Sequence, residues 1–483
     1  MIAASALRNS WATVRISLPA AGPPWVISGN TSATAATIAL WAAAISGCGG
    51  IIVGLPAVRA GARLPVRALL ATGFVAAALL TVLPPAGSTD SLDYAAYGRM
   101  VVLGRTPYVM TPEQLRSSGD PVGAAVPPAW RTHVSLYGPL ATLEEAAAAE
   151  LGGTSAARII FWLKLWNALA FGGVAIGLDV LLRADPGRRA RAHLLWTANP
   201  LLLWALIAGG HVDGLAVVFG FLGLLVASRR APGAADALEA APAQAHAWSP
   251  GWRQALAAGL LIGAAADIKI TFALFGLGLA WACRRSIAAL AAAAAGAAAV
   301  LLPSYLWFGY PALHALSTRS DFATADSFYR WLAWPGPHPL TNLVLPAAGF
   351  VLLAALLLWR LPDAVPRLPA LQPALALSLA WLFIAAYQLP WYDSMIIPLV
   401  ALYPASRLDW LVLVRLLAGT LALMPGNPAL PAAGIMRTVA EASFQLVAPL
   451  ALLGVLIALV WCAASGSWGI WPAGAAPGRR LAG

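Results

Sequence analysis

Charge is what this chain has least of. Charged residues fill 10% of its 483 positions, against about 25% in soluble globular domains. That shortfall leaves too little polar surface to cover a water-soluble protein of this size. Cysteine is also scarce. Cys48, Cys283 and Cys462 each lie in or beside an apolar run and form no CxxC pair, which argues against a disulfide framework or a cysteine-based zinc site and for buried thiols. Strand-period alternation is missing, so a membrane barrel is excluded. There is no HExxH spacing, and no metal site or cofactor is expected. Residues 1–33 hold no clean apolar segment and do not read as a cleavable signal.

Apolar residues dominate instead, at 60% of the chain, with a mean hydropathy of +0.76. Long runs rich in Ala, Leu and Val fall near 35–57, 67–85, 157–182, 192–209, 212–228, 254–282, 286–307, 341–359, 371–389, 394–405, 408–424 and 443–463. A span needs about 20 apolar residues, so these runs predict an all-α polytopic membrane protein. The run 254–282 is too long for one crossing and short for two, and it carries Asp267 and Lys269 in its middle. It reads as two half-helices that enter and return, which is tolerated where the broken backbone lines a cavity. The formal charge of +11 is not read as a nucleic-acid patch, because the arginines sit in short loops between apolar runs. Arg59, Arg63 and Arg67, then Arg183, Arg188, Arg189 and Arg191, then Arg229 with Arg230, Arg284 with Arg285, and Arg360 with Arg367 all fall on one side. The positive-inside bias makes that side cytoplasmic. The Ala/Pro-rich stretch 231–251 is a cytoplasmic linker of low complexity, and 466–483 is a C-terminal tail. The expected domain is therefore a transmembrane bundle over 34–465, with outer loops at 86–156 and 308–340.

The same parity collects the polar residues on the outer side. Asp90-Ser-Leu-Asp-Tyr-Ala-Ala-Tyr-Gly-Arg99 follows directly on a span that ends at Pro85. Asp90 and Asp93, like Tyr94 and Tyr97, are spaced to share one helix face. An ionisable group held at a half-buried boundary tends to be shifted toward a base that works near neutral pH; a capped interfacial helix with an aromatic belt explains the same residues without chemistry. Arg99, Arg105, Arg116, Arg131 and His133 concentrate positive charge where the bias disfavours it. That predicts an anionic ligand, phosphate above all, unless lipid headgroups account for it. Gly104 to Tyr108 and Ser135 to Leu140 are turn sequences that carry Tyr108 and Tyr137. His211 and Asp213 open a span after two glycines, and Lys269 stands at the tip of the broken run. Such intramembrane charges are costly unless paired or used, and Lys269 pairs with either Asp267 or a phosphate. Trp391 and Tyr392, in the turn YQLPWYD, offer faces on which sugars stack. Arg319, Asp321, Asp326, Tyr329, Arg330, Trp331 and Trp334 make the second loop both polar and aromatic.

The order of these motifs is informative. DxxxYAxYGR is followed by G-R-T-P-Y, S-L-Y-G-P-L, N-P-L, G-G-H-V-D, the D-I-K tip and L-P-W-Y-D. Over roughly residues 67–405 it resembles the actinobacterial polyprenyl-phosphate-mannose-dependent mannosyltransferases of the integral-membrane GT-C superfamily, in particular the α-1,6-mannosyltransferases of lipoglycan mannan assembly. The resemblance implies a GT-C-like bundle of about 12–13 transmembrane helices, with short juxtamembrane helices in an extracytoplasmic loop. It implies a multi-pass protein of the plasma membrane whose site faces outward. It also implies a polyprenyl-phosphate sugar donor and a glycan or glycolipid acceptor, with membrane lipids around and no nucleic acid. The family's outer-loop Asp, a general base, falls on Asp90, with Asp93 as the other candidate. Its membrane-tip Lys, facing the donor phosphate, falls on Lys269, with Arg99 and Arg105 as further phosphate contacts. The remaining tyrosines, His211, Asp213, Trp391 and Tyr392 become substrate contacts. The chain departs from the family pattern at Arg105-Thr106, where an acid is usual, and at Val212, where Asn is usual. The family inverts the anomeric centre, so a β-linked lipid donor gives an α-mannoside. Donors carrying arabinose or glucose fit the same pattern, and a secondary transporter or lipid flippase fits the broken helices alone.

Overall fold

A backbone in hydrocarbon finds no water to bond, so apolar runs settle into helices. The computed structural model describes residues 2, 6–9, 16–19, 21–30, 32–228, 249–316, 324, 327–332, 340–424 and 435–470. Among the described residues, five helices are each long and apolar enough to cross a membrane: Thr34–Arg59, Ala156–Leu181, Ile287–Phe308, Asn342–Arg360 and Arg437–Ser465. Pro186–Ala208 and Asp213–Val226 make a further span if taken as one broken pair, bent by 118°. Val66–Val82, Ile270–Cys283 and Leu371–Ile384 are shorter apolar helices. The protein is thus a multi-pass, α-helical membrane protein. Full-length spans are fewer than the apolar runs, because several runs are broken. Asn199 ends one helix and caps the next by accepting from Leu201 N at 3.0 Å. The run near 394–405 opens as a 3-10 turn over Pro390–Met395 before the short helix Ile397–Leu402. The only described strands, Leu7–Asn9 and Ile27–Asn30, form a small parallel pair in the N-terminal segment.

The long run 254–282 does break, at Lys269, into Trp252–Ile268 and Ala273–Cys283, joined by a 3-10 turn over Ile270–Phe272. Direction follows from close packing. A Cβ on Gly259 would meet Ala293 O at 2.1 Å, and one on Gly263 would meet Ala297 Cα at 2.7 Å. Four residues on in one helix is four residues on in the other, so Trp252–Ile268 runs parallel to Ile287–Phe308. The segment joining them must run back, and the Lys269 break is the tip of a hairpin. Small residues at this seam let the backbones approach where no hydrophobic effect drives them together.

The loops that carry Arg59 and Arg191 meet at Asp409. Arg59 Nη2 and Arg191 Nε donate to Asp409 Oδ2 at 3.0 and 2.8 Å, and Arg188 donates to Leu402 O at 2.7 Å. The first large loop carries four short helices, Asp90–Val102, Pro112–Ser117, Pro121–Ala125 and Pro139–Gly152. Of the expected linker 231–251, residues 231–248 lie outside the described residues, as do Arg319, Asp321, Asp326 and Trp334 of the second loop and residues 471–483 of the tail.

Candidate active site

The site begins where Val66–Val82 ends. Lys164, buried in the span Ala156–Leu181, donates from Nζ to Leu83 O at 2.7 Å and to Pro84 O at 3.4 Å. Two residues on, Ala86 N donates to Ala208 O at 2.9 Å. The chain is thereby anchored before it turns into Asp90–Val102, whose first N–H is met by Ser88 Oγ at 3.2 Å. Both carboxylates fall in the first turn of that helix, where the backbone dipole favours negative charge and burial opposes it more strongly.

Asp90 is about a fifth exposed, and its Oδ2 lies 3.7 Å from His211 Nδ1. Burial raises its carboxyl to about 6, and Asp213 adds to this; hydrogen bonding from Ser88 and the charge of Lys269 pull the other way. Asp93 is 6% exposed, and burial, then the neighbouring Asp90, hold its carboxyl well above the usual range. Tyr94 Oη lies 2.9 Å from Tyr137 Oη and 3.4 Å from His211 Nδ1. The His211 ring stacks on Trp391 at 3.6 Å between centroids. Lys269 pairs with Asp213 and sits 3.4 Å over the ring of Tyr392, so Asp213 is its carboxylate partner. Asp267 is used elsewhere: its Oδ1 accepts from Leu140 N at 3.4 Å, while Gly138 N donates to Ile268 O at 3.3 Å. Together these contacts fix the Pro139–Gly152 helix to the hairpin tip.

A cavity of about 440 Å³ opens among these elements. Asp90, Asp93, Tyr94, Tyr97, Tyr137 and Lys269 make its polar wall. Leu343, Pro346, Phe350, Trp381 and Ile384 make an apolar wall. Tyr392 also lines it, whereas His211, Asp213 and Trp391 stand just behind the polar wall. Tyr108 serves the wall indirectly: its Oη lies 2.9 Å from Tyr137 O and from Thr142 Oγ1. Arg99 and Arg105 are not brought to the cavity. Arg99 is held by Asp120 at 2.9 Å, and Arg105 is exposed.

Sequence reading missed several residues that the fold brings close. Lys164 stood in W-L-K-L-W as a lone cation in an apolar run, which was a usable signal. Arg415, Glu144 and Glu145 gave less, because their surroundings become visible only once distant helices pack. Gly138 is exposed to a direct test. A Cβ there would lie 1.5 Å from Asp267 O, so Gly138→Ala forces the hairpin tip away. Overpacking of this kind costs about 1–3 kcal/mol. Thermal unfolding in detergent should reveal the loss, and an unchanged midpoint would show that the tip yields freely.

Comparison with known proteins places the chain in a family. The family model described as alpha-(1->6)-mannopyranosyltransferase, N-terminal domain, matches residues 1–285. Alpha-(1->6)-mannopyranosyltransferase B of Corynebacterium glutamicum is 26% identical over 225 residues, 46% of this chain and 36% of the relative. A probable alpha-(1->6)-mannopyranosyltransferase of Mycolicibacterium smegmatis is 27% identical over 279 residues, 53% of this chain and 47% of the relative. The matches thus span between about a third and a half of these relatives' length. Among solved structures, ArnT of Cupriavidus metallidurans bound to undecaprenyl phosphate aligns with 81% of this chain and 77% of its own, at a TM-score of 0.34 and 16% identity. With the family model covering more than half of its residues, the chain belongs to the alpha-(1->6)-mannopyranosyltransferase family.

Proposed function

We propose that the protein transfers a mannosyl residue from a polyprenyl-phosphate donor to a glycan or glycolipid acceptor on the extracytoplasmic side, with inversion. One observation carries this reading: a carboxylate, Asp90, and a paired cation, Lys269, line the same cavity as an apolar wall around Phe350. A lipid-linked sugar needs all three, apolar contact for the carrier, a cation for its phosphate and a base for the incoming hydroxyl. The acceptor oxygen bonds to the anomeric carbon while the bond from that carbon to the phosphate oxygen breaks. The phosphate leaves with the bonding pair as an anion, stabilised by Lys269, and the hydroxyl proton passes to Asp90. Attack opposite the leaving group turns a β-linked donor into an α-mannoside. The outer side is supported by the arginine clusters around Asp409, which the positive-inside bias keeps cytoplasmic, with the helix Val66–Val82 running between the Arg59 loop and the Asp90 turn.

The direct test incubates membranes that contain the protein with labelled polyprenyl-phosphate mannose and a mannoside acceptor. Transfer above that of membranes without the protein supports the reading, and its absence with both substrates present refutes it. The cation is tested separately. Removing Lys269 alone would strand Asp213, so the variant is Asp213→Asn with Lys269→Met. Loss of a charge-assisted contact of about 1.5–3 kcal/mol predicts a donor KM raised roughly ten- to hundredfold, with the acceptor KM little changed. The reverse pattern would remove Lys269 from the donor side.

A further inference from the structure

Asp93 is surrounded differently from Asp90, although both line the cavity. Its charge is felt by Glu145 on Pro139–Gly152, a helix packed so tightly here that a Cβ on Gly98 would lie 2.0 Å from Glu145 O. That helix presents Glu144 and Glu145, 8% and 0% exposed. Among the described residues, neither oxygen of either glutamate has a hydrogen-bond partner, and Asp93 Oδ1 has none. The cations nearby are engaged with other carboxylates, Lys269 with Asp213 and Arg99 with Asp120. Three buried carboxyls without a cation cannot all ionise, because each charge left unpaired in a dry site costs several kcal/mol. Glu145 is held up by burial and then by the charges of Glu144 and Asp93. The only member of the trio on the cavity wall is Asp93.

We propose that Asp93 is not a second base but a neutral carboxylic acid that donates a hydrogen bond to a hydroxyl oxygen of a sugar in the cavity. It is a positioning and specificity residue, backed by Glu144 and Glu145, and it leaves proton abstraction to Asp90. This rests on the proposed transfer reaction. A carboxylate at that place would offer only acceptors to a sugar hydroxyl, whereas the protonated group supplies a donor.

Two measurements test it. In Asp93→Leu the donor is lost, and the KM for one sugar substrate rises about tenfold with kcat much less affected. Asp93→Asn, whose amide still donates, restores most of that loss. Asp93→Asn as inactive as Asp90→Asn, with normal protein levels, would make Asp93 the base and overturn the assignment. An unchanged KM in Asp93→Leu would overturn it as well. The second measurement needs no turnover. Infrared difference spectra near pH 7 between wild type and Asp93→Asn should show a protonated-carboxyl C=O stretch that the variant lacks. Absence of that band means that Asp93 is ionised and overturns the proposal. If the wild type transfers no mannose, the reaction reading fails by itself. Infrared spectra, and binding of labelled polyprenyl-phosphate mannose and of a labelled mannoside to Asp93→Leu and Asp93→Asn, then still decide the role of Asp93.

Discussion

Asp90→Asn is expected to lower turnover by about 10²–10⁴-fold, the usual worth of a positioned general base. The amide matches the carboxylate in shape and can still contact the His211 ring, so the fold and the donor KM change little. Loss of rate without loss of binding is the signature of a group used only in the transition state. The pH dependence has a definite sign. A base acts in its ionised form, and burial places the Asp90 carboxyl at about 6. kcat/KM should therefore rise as pH passes upward through about 6 and level off above it. Asp213 holds this carboxyl up and Lys269 holds it down, so in Asp213→Asn/Lys269→Met the two losses oppose each other and the limb should not move to higher pH. Asp90→Asn with undiminished transfer, or a profile flat across that range, would dismiss Asp90 as the base.

The sequence foretold parts of this site and not others, for physical reasons. Two charges inside an apolar run are so costly that the break at Lys269 was legible. The turn from Val66–Val82 into TDSLDYAAYGR was legible because proline, then serine and acid, end one helix and start another. Lys269's choice of partner was not. Asp267 lies two residues away in sequence, but residues two apart at a helix end do not face each other, and Leu140 N occupies Asp267. Asp213 comes from another helix, and only packing brings it there. Arg99 and Arg105 were read together as anion ligands because both stood against the charge bias. That bias is a sum over a loop, however, and cannot anticipate that Asp120 from the same loop holds Arg99. The lower number of full-length helices has a similar origin. Apolar content marks where chain can enter the membrane, while Asn199, Pro390 and the turn at Gly210 decide where a helix must stop.

Arg415→Met should be the most destabilising of the substitutions considered, at about 3–5 kcal/mol. Arg415 is 3% exposed and pairs with Asp393, which is fully buried. Its Nη2 also donates to Leu382 O and to Gln388 Oε1, both at 2.9 Å. One guanidinium from Leu408–Leu423 therefore closes the last turn of Leu371–Ile384 and anchors the Pro390–Met395 turn. Methionine fills much of the volume but leaves Asp393 charged and unpaired in a dry site, and it strips donors from two further oxygens. Lysine keeps the charge without the planar fork, so Arg415→Lys should fall between wild type and Met. The double variant Asp393→Asn/Arg415→Met strands no charge and should recover most of the loss, a coupling that independent sites would not show. Thermal unfolding in detergent micelles measures all four proteins. A single Met variant that unfolds with the wild type, or a double variant no better than the single, would mean that this pair does not hold the turn. The consequence reaches the site because Trp391 and Tyr392 ride on the same turn. Loosening it frees the His211 ring from its stack and Lys269 from its aromatic face. Arg415→Met that still folds at low temperature should then transfer mannose with a raised donor KM, although Arg415 does not line the cavity.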